Sequence, residues 1–286
     1  MTAWESGFAN LNGLCLHYTR TGGQLPPLVL AHGVSDDGLC WTTVAEALAP
    51  AFDVIMVDAR GHGRSDAPLR GYGPAEQAAD LGGLIQYLEL RQPLVLGHSM
   101  GAMTTLMLAG TEPDVPRAIL LEDPPPWWVP ATTEHAGQER RAAMRIAMAE
   151  LKRKTRDELI AGQRVVAPTW PEAELERWAD SKIRCSPNVL DIFTAAAENT
   201  IDWPAVLGRI TCPVLLITGD PRAGALVTEA HADAFRELIP HAVVVRIAGA
   251  GHSIRHDQFG AYMDAVQEFV SAIGALEPGG VPGEHN

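Results

Sequence analysis

A chain of 286 residues with 47% hydrophobic and 20% charged side chains can bury a large core, which excludes an intrinsically disordered protein and fits one or two globular domains. Its formal net charge of −13 argues against nucleic acid and anionic membranes as partners, because neither rewards an acidic surface. A small-molecule partner is the expectation that survives.

Residues 1–8 carry neither a basic leader nor an apolar h-region, and no later run reaches bilayer length, so a cytosolic protein is expected. Asn12-Gly13 is a hairpin signal that joins a short strand around Phe8 to another at 14–20. Short apolar runs with little polar alternation follow at 28–31, 54–57, 94–96, 118–121, 214–217 and 243–247, as in strands covered on both faces. Helix-like segments at 41–49, 76–90, 100–109, 228–239 and 257–273 lie between most of them. The alternation predicts an α/β protein with a mostly parallel sheet and right-handed crossovers.

One interval, 124–207, has no strand signal. It opens on Pro124-Pro125-Pro126-Trp127-Trp128 and continues with helical charge patterns at 139–156 and 171–181. An insertion after a strand's carboxyl end sits where α/β folds bind ligands. Residues 124–207 are therefore expected to form a helical cap on a core of 1–123 and 208–286. The Gly- and Pro-rich tail beyond Leu276 is expected to be loosely held. Cys15, Cys40, Cys185 and Cys212 are scattered, without a Cys-x-x-Cys pair or zinc spacing, so buried thiols are expected and no metal site.

The pentapeptide Gly97-His98-Ser99-Met100-Gly101 falls between an apolar run and a helix-like stretch, the setting of a nucleophile elbow. Ser99 is the candidate nucleophile. A serine hydroxyl needs a base, and His252, in Gly249-Ala250-Gly251-His252-Ser253 after the last strand, is preferred to His256, which begins a helix. His98 is expected to point away along the elbow, and His62, His231 and His241 to be surface or turn residues. A developing oxyanion needs two backbone donors. Met100, the residue after the nucleophile, supplies one; Val34, in the His32-Gly33-Val34-Ser35 loop, is chosen as the other.

As a set, these segments, together with Asp58-Ala59-Arg60-Gly61-His62-Gly63-Arg64-Ser65, resemble the α/β-hydrolase superfamily over nearly the whole chain. The resemblance implies an eight-stranded, mostly parallel sheet with flanking helices and a helical cap, and a structural role for residues 58–65. It also implies a triad acid, usually placed in a Gly-x-x-Asp arrangement after the seventh strand. Here that loop reads Gly219-Asp220-Pro221-Arg222, with arginine at the expected position. Some capped members, lactone-cleaving ones among them, carry the acid after the sixth strand, where this chain has Glu122-Asp123. Asp123 is preferred over Asp220, with Glu122 third.

Serine at the elbow argues against haloalkane dehalogenase and epoxide hydrolase chemistry, which needs a carboxylate nucleophile. The expected activity is hydrolysis of a carboxylic ester or lactone of a small, partly apolar molecule through an acyl-enzyme, without cofactor. Amide or carbon–carbon bond hydrolysis, a cofactor-free oxygenase and a non-catalytic binding protein remain alternatives. Trp127 and Trp128 are candidate pocket residues, and Trp170, Trp178 and Trp203 fall in the same insertion. Arg140, Arg141, Arg145, Lys152, Arg153, Lys154, Arg156 and Arg164 read as a solvated helix face, although one or two turned inward would suit a carboxylate-bearing substrate. Oligomeric state is not readable from the residues; a homodimer stays open.

Overall fold

Seven residues on either side of Asn12-Gly13 form the antiparallel strands β1 (Glu5–Leu11) and β2 (Leu14–Arg20). β2 pairs antiparallel with β4 (Asp53–Val57), and from there the sheet is parallel: β3 (Pro27–Ala31), β5 (Leu94–His98), β6 (Ala118–Glu122), β7 (Val214–Thr218) and β8 (Val243–Arg246). The spatial order is β1-β2-β4-β3-β5-β6-β7-β8. The computed structural model describes residues 4–129, 134–193 and 201–274, the side chains of 134–138, 140 and 141 apart.

All five residues of β4, β5, β6 and β7 are buried, which is why these strands read as unbroken apolar runs. One face packs beneath helices α2 (Pro74–Tyr87), α3 (Met100–Thr111), α7 (Trp203–Leu207) and α8 (Glu229–Leu238). The other packs against α1 (Thr42–Leu48) and α9 (Phe259–Ala272). β8 departs from the expectation of cover on both faces. It pairs only with β7 at the sheet's edge, and Val243 is 48% exposed.

Among the described residues no strand lies between β6 and β7. That stretch contains α4 (Glu134–Leu151), α5 (Arg156–Val166), α6 (Glu172–Arg184) and a 3-10 segment, Pro187–Phe193. The helical charge pattern expected over 139–156 falls on α4, which ends at Leu151, with Arg156 opening α5. Thr155 accepts from the Glu158 amide while the Glu158 side chain accepts from the Thr155 amide, a reciprocal cap that starts a new helix. The tail beyond Leu276 lies outside the described residues. All four cysteines are free thiols; Cys40, Cys185 and Cys212 are buried, Cys15 only partly.

Where a surface or turn position was expected for His62, the ring lies buried within a turn. Its Nε2 accepts from the Ser35 amide at 3.2 Å and its Nδ1–H donates to Arg60 O at 2.8 Å. Burial, reinforced by His32, holds its pKa down to about 3. Burial and the Arg255 charge hold His98 and His256 well below the usual range. An unfolded chain protonates these rings near pH 6.5 whereas the fold refuses the proton, so stability is lost as pH falls from about 6.5 toward 3. The melting temperature is accordingly expected to drop between pH 7 and pH 5, and less steeply in His62→Gln. Superimposable melts across that window would overturn the prediction.

Candidate active site

The carboxyl ends of β3 through β8 share one edge, so the loops after them converge above it. At the centre, β5 runs into Ser99, whose backbone at φ 52°, ψ −112° lies outside the regions that side chains favour. Gly97 and Gly101 let the chain turn that sharply. A Cβ on Gly97 would lie 2.4 Å from Gly101 O, and one on Gly101 would lie 2.2 Å from Ala31 O. The turn is tied down by Ser99 N–H to Glu122 O at 2.9 Å and Gly101 N–H to His32 O at 3.0 Å. Ser99 does not use its side chain to cap α3, which leaves Oγ directed upward.

That oxygen meets His252 Nε2 at 3.0 Å, and His252 Nδ1 meets Asp123 Oδ2 at 2.6 Å. Asp123, fully buried, also accepts from the Leu226 amide at Oδ2 (2.8 Å) and the Val227 amide at Oδ1 (3.0 Å). The structure brings Asp123 to the ring and leaves the other two acids elsewhere. Glu122 is the last residue of β6, and Asp123, just beyond the strand end with its backbone at φ 42°, reaches different partners. Glu122 binds Arg255 at 3.0 Å, and burial raises its pKa. Asp220 caps the 3-10 turn Pro221–Ala223 by accepting from the Arg222 amide at 2.9 Å. His256 is likewise remote, stacked on Trp170 with Nδ1 3.4 Å from Glu174.

His98 does not point away as expected. Its ring packs against that of His252 with centroids 4.7 Å apart, and its Nε2–H donates to His252 O at 3.0 Å. The backbone that carries the imidazole is thereby fixed from below.

Val34 and Met100 border the same cleft as Ser99, and among the described residues their amides donate to no acceptor. The Val34 loop is locked to residues 58–65. His32 Nε2 accepts from the Ala59 amide at 3.0 Å, and Asp58 Oδ1 accepts from the Gly38 amide at 2.8 Å. A second Ser-His-Asp arrangement lies at the sheet's edge: Ser6 Oγ to His17 Nε2 at 2.7 Å, His17 Nδ1 to Asp58 at 2.8 Å. There Arg64 donates to both Ser6 Oγ (3.0 Å) and His17 Nε2 (3.3 Å). A guanidinium beside the nitrogen that must take up a proton opposes base action, so this array is structural.

The cleft over Ser99, about 630 Å3 counting the solvent-open space at its mouth, lies between Val34, Met100, Pro125, Pro126, Trp127, Met144, Ile192, Phe193 and Leu226. None of these side chains is charged. Trp128, expected beside Trp127, does not line it. It is buried against Phe235 with centroids 5.0 Å apart, and its Nε1–H donates to His231 O at 3.0 Å. Trp203 is buried beneath α3, Trp170 donates to Asp257, and Trp178 lies under Lys182. Of the insertion's cations, Arg145, Arg153, Lys154, Arg156 and Arg164 are exposed as expected. Lys152 instead caps α6, donating to Lys182 O at 2.6 Å and Ile183 O at 3.0 Å. The side chains of Arg140 and Arg141 lie outside the described residues.

The sequence reading missed a buried ionic cluster beside the site: Asp36, Lys182 and Arg255, with Glu122, flanked by the buried Asp37 and its partly exposed partner Arg184. Lys182 and Arg184 end an amphipathic helix and read as solvated charges, so no local signal marks them. Among the described residues no group of three or more His, Cys, Asp or Glu side chains is placed to hold a metal ion, and no helix is long and apolar enough to cross a membrane.

Comparison with known proteins gives a consistent picture. A model described as the alpha/beta hydrolase family matches residues 28–266. N-formylmaleamate deformylase of Pseudomonas putida is 28% identical over 92% of this chain and 96% of its own length. The 2-(acetamidomethylene)succinate hydrolase of Mesorhizobium japonicum is 26% identical over 88% and 91%. Among solved structures, an E-2-(acetamidomethylene)succinate hydrolase superimposes with a TM-score of 0.79 at 22% identity, over 94% of this chain and all of the other.

Proposed function

The chain belongs to the alpha/beta hydrolase family, and on that footing we propose that it is a serine hydrolase cleaving a carboxylic ester or lactone of a small apolar molecule. The observation that carries this reading is the unbroken path from Ser99 Oγ through His252 to Asp123, at 3.0 and 2.6 Å, opening on an apolar cleft.

In this mechanism His252 takes the Ser99 proton as Oγ attacks the substrate carbonyl. The carbonyl π electrons move onto oxygen, where the amides of Val34 and Met100 stabilise the negative charge. Asp123 holds the Nδ1–H tautomer and stabilises the imidazolium. The tetrahedral adduct collapses, the alcohol leaves with the proton returned by His252, and the acyl group remains on Ser99. Water, deprotonated by His252, repeats the sequence and releases the acid. Residues 124–207 act as the cap: Pro125, Pro126, Trp127, Met144, Ile192 and Phe193 supply most of the apolar wall.

A second reading, amide hydrolysis, is supported by the names of the two sequence relatives, both of which denote N-acyl substrates. The same groups serve it, because an amine leaving group needs the proton that His252 returns. A fluorophosphonate probe is expected to label Ser99, as read by peptide mass spectrometry, and to block turnover in step with labelling. A panel of p-nitrophenyl esters, lactones and matched anilides then separates the readings. Faster turnover of esters and lactones supports the first, and faster turnover of anilides the second. Unlabelled Ser99 with dioxygen uptake would sink both and favour the oxygenase.

A further inference from the structure

The loop that carries Val34 is gripped from outside the sheet domain. Ser35, the next residue, adopts φ 66°, a left-handed backbone that serine keeps only when its surroundings hold it. Its N–H donates to His62 Nε2 and its C=O accepts from Lys182 Nζ at 3.2 Å. Lys182 comes from the last turn of α6 in the insertion, is 3% exposed, and forms an ion pair with Asp36 Oδ1. The remaining Asp36 oxygen faces Arg255 at 3.5 Å and His98 Nδ1 at 4.0 Å. One carboxylate thus joins the oxyanion loop, the strand before Ser99, the segment after His252 and the insertion. Two residues further on, Arg184 binds Asp37 at 2.7 Å but makes no hydrogen bond to the Ser35 backbone.

We propose that Lys182 is a positioning residue for the hydrolysis: its ammonium holds the Ser35 peptide so that the Val34 amide faces the oxygen on which charge develops. The proposal rests on Ser99 and Val34 acting as described above. A long flexible side chain would not be buried here merely to attach the insertion, since Arg184 already does so from a half-exposed position. What Lys182 adds is a donor to a main-chain oxygen in the loop itself, next to the residue whose amide must be aimed.

The experiment compares Lys182→Met, Lys182→Gln and Arg184→Met with the unmodified protein. Lys182→Met is expected to lower kcat by roughly 10- to 100-fold, short of the ~100- to 1000-fold typical of a deleted oxyanion donor, with KM nearly unchanged. Fluorophosphonate labelling of Ser99 and affinity for a trifluoromethyl ketone, which forms a tetrahedral oxyanion, should fall in parallel. Affinity for the matching secondary alcohol, which carries no oxyanion, should not. Lys182→Gln keeps a donor and should restore most of the rate, even if Lys182→Met proves too unstable to assay. Arg184→Met should leave kcat and labelling intact.

Equal losses in Lys182→Met and Arg184→Met, or loss of ketone and alcohol affinity together, would reduce Lys182 to an attachment point and overturn the proposal. Lys182→Gln no faster than Lys182→Met would overturn it as well. Failure of the unmodified protein to label at Ser99 would instead sink the hydrolase reading, and this proposal with it.

Discussion

Ser99→Ala is expected to lower turnover by about 10^4- to 10^6-fold while leaving affinity for a non-reacting ligand unchanged. Alanine keeps the Cβ already accommodated at φ 52°, ψ −112°, and Ser99 Oγ makes no helix-capping bond, so the elbow loses only its nucleophile. The residual rate would come from the amides of Val34 and Met100 and from binding in the cleft. A variant retaining more than about one hundredth of the activity would mean that the attacking group lies elsewhere. The comparison also decides whether the chain is merely a binding protein, since in that case the unmodified protein would hold ligand without releasing product and the substitution would change nothing.

Asp123→Asn is expected to lower turnover by roughly 10^3- to 10^4-fold, and Asp220→Asn to leave it close to that of the unmodified protein. Both Asp123 oxygens already accept hydrogen bonds: Oδ2 from His252 and the Leu226 amide, Oδ1 from the Val227 amide. An asparagine has only one acceptor oxygen. Whichever way it turns, its NH2 meets a donor, either the ring and Leu226 or Val227, in a site shut off from water. The ring then loses the partner that holds its tautomer. Asp220, partly exposed, accepts one amide that an asparagine oxygen can also accept. Equal modest losses at both positions would leave the acid unidentified; a larger loss at Asp220 would overturn the assignment.

The cleft gives these tests a further use. Its described walls carry no charged side chain, whereas the names of both sequence relatives denote carboxylate-bearing substrates. Neutral esters of increasing acyl length form the appropriate first series for Ser99→Ala and Asp123→Asn, because an apolar wall rewards added methylenes more than added charge.

The chain by itself determined the parts that depend on near neighbours. Unbroken apolar runs marked the four fully buried strands, Asn12-Gly13 marked the hairpin, and the two glycines around Ser99 marked the elbow, because each rests on sterics or burial within a few residues. The Gly-rich segment before His252 was legible for the same reason. The family resemblance ranked Asp123 first among three acids, and tertiary structure placed it: Asp123, just past the end of β6 at φ 42°, meets the His252 ring, whereas Glu122 binds Arg255 and Asp220 caps its own turn. Tertiary structure likewise separated Trp127 from Trp128, buried His62 and His98, and made Lys182 and Arg255 buried partners of Asp36. Burying a charge depends on a counter-charge that can lie 146 residues away in sequence, as Lys182 does from Asp36, and nothing in the local pattern of a helix records that partner.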